Sequence, residues 1–265
     1  MRLKKKDIQN IIEEYKNKTK KDCYKILLGH EEPQILDDKL GGTAYLPVGE
    51  TYPTDKNGRP MPLLLQVNLK NINLKGFQNE GILEVFTNIE YPMEYCVRLY
   101  KEGLEYQTDL PKTKAFYNNE EFDYFIKKPI SITYEKDFMH MPLSNYKSFK
   151  TFKEIVKQKL ENSYTKEDVE AFLNNNDKLR ELWYEIGNEI VYHSLYIGGY
   201  PNFTQEDIRP NLKPKKNECV FSLDCVGSEE FIEIGDSGII WGLISKKDLK
   251  NKLFENMFVD YDFCW

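Results

Sequence analysis

The stretch from Ile197 to Ile244 constrains the fold more than any other part of the chain. It opens on Gly198-Gly199-Tyr200-Pro201 and closes on Gly235-Asp236-Ser237-Gly238, which runs into Ile239-Ile240-Trp241. Paired glycines before a proline mark a strand end or a sharp bend, because glycine tolerates positive φ and proline withdraws a ladder donor. Leu195–Ile197, Glu218–Val226, Phe231–Ile234 and Ile239–Ile244 all have strand composition. The tetrapeptide from Gly235 to Gly238 is the turn between the last two.

An echo of this stretch lies near the start of the chain. Gly198 falls 157 positions after Gly41, and Gly238 the same distance after Gly81. After Gly41-Gly42 come Pro47, Gly49, Pro53, Asn57-Gly58, Pro60 and Pro62, which together forbid a long helix. Leu63–Leu69 then reads as a buried strand containing Gln66, and Gly81–Phe86 as the next. Each unit runs Gly-Gly bend, loop, strand, turn, strand. We read this as a degenerate duplication. Two such units bury strand faces that neither covers alone.

The remaining segments follow from periodicity. Ile8, Ile11, Ile12 and Tyr15 share one helical face within residues 4–18. Cys23–Leu28, Tyr95–Tyr100 and Pro129–Tyr134 read as strands, and Leu104–Glu121 as a long surface excursion. Apolar faces built on Phe152, on Val169 with Thr165 as N-cap, and on Leu179 make residues 148–190 a helical block. Lys246–Leu253 is expected to be a short helix, and Phe254–Trp265 an aromatic tail docked on the body. The expected architecture is α+β. A single domain spans residues 1–265, with two related β-rich halves at about 40–100 and 195–250, bridged and covered by helices.

Composition narrows the function. Net charge is −6, and the Lys and Arg residues are scattered apart from Lys4-Lys5-Lys6, so no basic stripe points to nucleic acid. No apolar run approaches the roughly 20 residues of a membrane span, and no signal-peptide core follows Met1, so a cytoplasmic setting is expected. The five cysteines are widely spaced and read as reduced thiols. No zinc spacing, phosphate loop or dinucleotide fingerprint is present, so neither a metal nor a cofactor is expected.

Taken together, Gly41-Gly42, the loop after it, Leu65-Gln66 and Gly81-Ile82-Leu83 resemble one known family. His193, Gly198-Gly199-Tyr200-Pro201, Gln205, Gly235-Asp236-Ser237-Gly238, Trp241 and Asp248-Leu249 extend the resemblance. The chain is similar to the bacterial YwqG-like proteins, the domain-of-unknown-function family numbered 1963. The resemblance implies one α+β body with an internally repeated sheet and a cytoplasmic setting, and it implies no activity. Where the pattern implies a second glutamine late in the chain, Leu223-Asp224 stands instead.

Gly-Asp-Ser-Gly around Ser237 invites a hydrolase reading, which needs a histidine base and an orienting carboxylate. His30, His140 and His193 are the only histidines and none carries triad flanks. A structural turn is the better reading. Gln66, His193, Tyr200, Gln205 and Asp236 are the candidate ligand-binding residues. Gly41, Gly42, Gly198, Gly199, Pro201, Gly235 and Gly238 are the structural turns. The sequence favours a non-enzymatic binding protein that recognises another protein, with a toxin-neutralising immunity protein as one version. The alternative is a small-ligand binder, or an enzyme, with a cleft between the halves near Tyr200, Gln205 and Asp236.

Overall fold

A computed structural model describes residues 3–263 apart from 78, 89–92, 112, 114–117, 120–121, 124–125, 226–231 and 234–236. An α+β body results. Helix α1 (Lys5–Thr19) leads into β1 (Lys21–Leu28), followed by β2 (Lys39–Leu40), β3 (Leu63–Asn68), β4 (Ile82–Thr87) and β5 (Tyr95–Tyr100). A small hairpin, β6 (Asn118–Asn119) and β7 (Phe122–Asp123), precedes the long β8 (Ile130–Met139). Helices α2 (Ser148–Leu160), α3 (Lys166–Leu173) and α4 (Asn176–Glu189) come next. The chain finishes with β9 (Leu195–Gly198), β10 (Glu218–Asp224), β11 (Ile239–Ile244), α5 (Lys246–Lys250) and β12 (Phe258–Asp262).

Ten strands form one antiparallel sheet in the order β12-β11-β10-β9-β1-β8-β2-β3-β4-β5. The sheet curls until its edges meet side to side: the Tyr95 ring on β5 stands edge-on to Phe258 on β12, with centroids 6.4 Å apart. Its interior holds the main core, including Leu65, Val67, Leu83, Val85, Phe221, Leu223 and Ile240. Burying each such side chain stabilises the fold by about 1.5–3 kcal/mol.

Strands β3, β4 and β11 are buried on both faces, so their sequences run apolar without alternation. Loops supply the second cover. Tyr45 and Leu46 from the proline-punctuated loop, with Tyr106 and Leu110, cover the outside of β4. Phe203, Ile208 and Leu212 cover the outside of β11 against Trp241. The expected excursion at Leu104–Glu121 is therefore corrected in its first part: the Gln107 N–H bonds the Leu46 carbonyl at 2.8 Å and holds the segment down.

Outward from the central β1–β8 pair, each side of the sheet carries four strands in corresponding order. Leu64 on β3 and Val220 on β10 are the extra residues of matching β-bulges. The bulges fall opposite Val85–Phe86 on β4 and Gly242–Leu243 on β11. All four bend glycines have positive φ: Gly41 +68°, Gly42 +81°, Gly198 +80° and Gly199 +64°.

Two expectations are corrected. Helices α1–α4 do not lie over the sheet but pack around their own core of Ile11, Tyr15, Phe152, Val156, Leu182 and Ile186. The C-terminal aromatic segment is not a docked tail, because β12 pairs along β11 from Ile239–Asp262 to Leu243–Phe258. A strand satisfies the β11 backbone groups that a docked tail leaves open. Of the expected strand Phe231–Ile234, only Ile232 and Glu233 lie within the described residues.

Candidate functional site

Gln66 is fully buried on the outer face of β3. Its Nε2 donates to the Ile35 and Asp37 carbonyls, both at 2.8 Å, and its Oε1 accepts the Tyr45 N–H at 2.9 Å. Cross-strand register puts Glu84 beside it on β4, with Lys39 on the other side. Glu84 Oε1 accepts the same Tyr45 N–H at 2.7 Å, and Oε2 has no partner among the described residues. Burial pushes the Glu84 carboxyl up to about 8. Lys39 donates to the Gln34 and Ile35 carbonyls at 2.7 and 2.6 Å, and burial lowers its ammonium to about 8. This row pins the loop before β2 and the loop after it to the sheet.

The other candidates are placed separately. His193 Nε2 lies 3.1 Å from Asp137 Oδ2 and 3.3 Å from the Phe138 carbonyl. The Gln205 N–H donates to Asp262 Oδ2 and its Nε2 to the Phe263 carbonyl, both at 2.9 Å, which ties the loop to β12. Tyr200 donates its N–H to Met139 Sδ at 3.1 Å, and its ring lies 5.2 Å below the Lys21 ammonium. Pro201 is buried. Asp236 and Gly235 lie outside the described residues. Ser237 and Gly238 are described; the Gly238 N–H donates to Cys225 Sγ at 3.2 Å. His140 Nδ1 accepts the Val191 N–H at 2.9 Å, so none of the three contacts described for His140 and His193 involves Ser237.

Beside Gly198 and Gly199 opens a cavity of about 530 Å³. Its walls come from both halves: Leu74–Phe77 from the first, and Gly198, Gly199, Glu218, Cys219 and α5 from the second. Lys20, Lys21 and Asp22 close it at the junction of α1 and β1. The glycines are required there for packing as well as conformation. A Cβ on Gly198 would meet Leu74 Cδ1 at 2.4 Å, and one on Gly199 would meet Met139 Sδ at 2.3 Å.

Gly42 lines a second cavity, about 470 Å³ in volume. Among the described residues its charged lining residues are Glu32 and Asp109. A family model described as "Domain of unknown function (DUF1963)" matches residues 38–264. The chain belongs to this family. No match to a curated protein was found. The DUF1963 match covers both glycine bends, the whole buried row from Lys39 to Glu84 and most of each cavity's lining, and leaves α1, β1 and the lining residues Lys20, Lys21, Asp22, Glu32 and Pro33 outside it.

Sequence reasoning singled out the bend glycines that line the cavity, whereas Gln66 and Tyr200 lie outside its lining; it did not single out Glu84 or the lysines around the cavity. Glu84 carried the same signal as Gln66, a polar residue inside the apolar run Ile82–Phe86. The lysines carried none, because three distant segments bring them together. Among the described residues no helix is long and apolar enough to cross a membrane.

Proposed function

We propose that the chain is a non-enzymatic binding protein whose ligand seats in the cavity beside Gly198 and Gly199. The observation that carries this reading is the cavity itself, a concave site walled by both halves and of small-molecule size. Gln66, Gln205 and His193 spend their polar groups on structural hydrogen bonds, which favours binding at the bend over chemistry at those side chains. A thermal-shift screen of soluble metabolites tests it. A ligand selective for the folded state raises the melting temperature, by about 2.7 kcal/mol of added stability at a hundredfold excess over Kd. A broad panel with no shift overturns the reading.

We propose also that the two halves derive from one duplicated unit. The mirrored strand order, the bulges at Leu64 and Val220 and the four positive-φ glycines support it. A rotation carrying Gly41 onto Gly198 must then carry Leu64 onto Val220. An experimental structure separating that pair by more than a strand spacing, about 4.8 Å, rejects the duplication. A cytoplasmic setting completes the reading.

Recognition of another protein is the second reading. The helical part exposes large aromatic side chains, Tyr184 at 57% and Tyr192 at 59%, with Phe149 beside Trp183. Such residues are enriched in interface centres. A stoichiometric partner recovered from the native cell, and lost on Tyr184→Ser with Tyr192→Ser, supports it. Recovery unaffected by both changes rejects it.

A further inference from the structure

We infer that the cavity beside Gly198 and Gly199 takes a small phosphorylated anion, an inference that rests on the cavity being the binding site. Five lysines line it, Lys20, Lys21, Lys75, Lys246 and Lys250, against two carboxylates, Asp22 and Glu218. The chain as a whole has 37 basic and 43 acidic residues, so this local excess opposes the sign of the molecule. Three separate segments deliver the lysines: the α1–β1 junction, the turn at residues 74–77, and α5. Like charges gathered around one hollow favour an anion among them.

The protein's own groups already engage three of the five, Lys250 among them. Glu218 pairs with Lys21 at 3.0 Å, and the Lys20 ammonium sits 3.9 Å above the Phe138 ring. Lys75 and Lys246 are exposed at the rim. The hollow at the other glycine bend carries, among the described residues, the carboxylates Glu32 and Asp109 as its charged lining.

The chemistry of the lining selects the ligand class. An ammonium group is a compact point charge, suited to a multiply charged phosphoryl group that several lysines approach at once. Leu74, Phe77 and Leu249 supply an apolar wall for an organic remainder. At about 530 Å³ the cavity is far larger than a bare phosphate and falls within the range of metabolite sites.

The test titrates the full chain with inorganic pyrophosphate, adenosine 5′-monophosphate and adenosine, following backbone amides by NMR at low salt. Pyrophosphate and the monophosphate are expected to move the Gly198, Gly199 and Lys246 amides, and adenosine is not. Raising salt from about 50 to about 300 mM should weaken both anions. The double variant Lys75→Gln with Lys246→Gln alters two exposed residues. It should melt as the parent does and bind at least about tenfold more weakly. Amides that move with neither anion, or a double variant that binds as tightly as the parent, overturn the inference. If neutral metabolites move these amides and the anions do not, the cavity remains a binding site and only the anion assignment falls.

Discussion

Glu84 is fully buried on β4, and one of its carboxyl oxygens accepts the Tyr45 N–H while the other has no described partner. Desolvation favours the neutral acid, and the nearby Lys39 ammonium only partly offsets it. The folded value, about 8, lies above the ordinary 4.5. Below pH 4.5 both folded and unfolded chains hold the proton, and the stabilising contribution is complete. Between 4.5 and about 8 the unfolded chain releases it first, so stability falls as pH rises. Lys39 acts in the opposite direction at higher pH, because its folded value of about 8 lies below 10.5. Urea unfolding at pH 5 and pH 8 should show the parent losing on the order of 3 kcal/mol that Glu84→Gln does not lose. Equal pH slopes in the two proteins would show that Glu84 is ionised in the fold. Gln66→Leu is a separate test of the row. It strips the Ile35 and Asp37 carbonyls of their donor and should lower stability by about 2–4 kcal/mol, read from the urea midpoint.

At the scale of elements, the two glycine bends allow a direct comparison. Gly199 has φ +64° and its added Cβ would meet Met139 Sδ at 2.3 Å, inside a packed cluster with Cys23 and Tyr196. Gly42 has φ +81°, but the nearest atom to its Cβ, Pro129 Cβ, is 3.2 Å away. Gly42→Ala should cost about 1 kcal/mol from backbone strain alone, and Gly199→Ala about 2–4 kcal/mol once overpacking is added. Thermal denaturation of the two variants checks the order, and a reversed order rejects the packing argument. These bends were legible in the sequence because glycine and proline act locally. The helices were legible too, since Phe152, Ile155, Val156 and Leu160 repeat at helical spacing. Strand β12 was not, because Phe258–Asp262 alternates poorly and becomes a strand only through pairing with β11. Two residues of the cavity lining were legible on the same grounds. Gly198 and Gly199 announced themselves, whereas Lys75 and Lys246 take their meaning from segments far apart in the chain.

For the whole molecule the informative fact is that two hydrophobic cores are distinct, one inside the curled sheet and one among α1–α4. Cores that share few side chains unfold with limited cooperativity. Phe152 is fully buried in the helical core. Its change to Ala should destabilise that core by about 3–5 kcal/mol and leave the sheet folded. Calorimetry of the variant is expected to split into two transitions, with hydrogen exchange rising in α1–α4 while β3 and β4 stay protected. A single shifted transition would mean the two parts fold as one.

The pairing of β1 with β8 sets an order of assembly on the ribosome. Six adjoining strands, β1, β8 and β2 to β5, are all translated before α2, so the first half meets its central partner without waiting for the second. The later strands β9, β10, β11 and β12 then add outward from β1 one after another as each emerges. Until β12 arrives, the Tyr95 flank of the nascent protein faces water with no neighbour, and that is the interval in which a chaperone has something to hold.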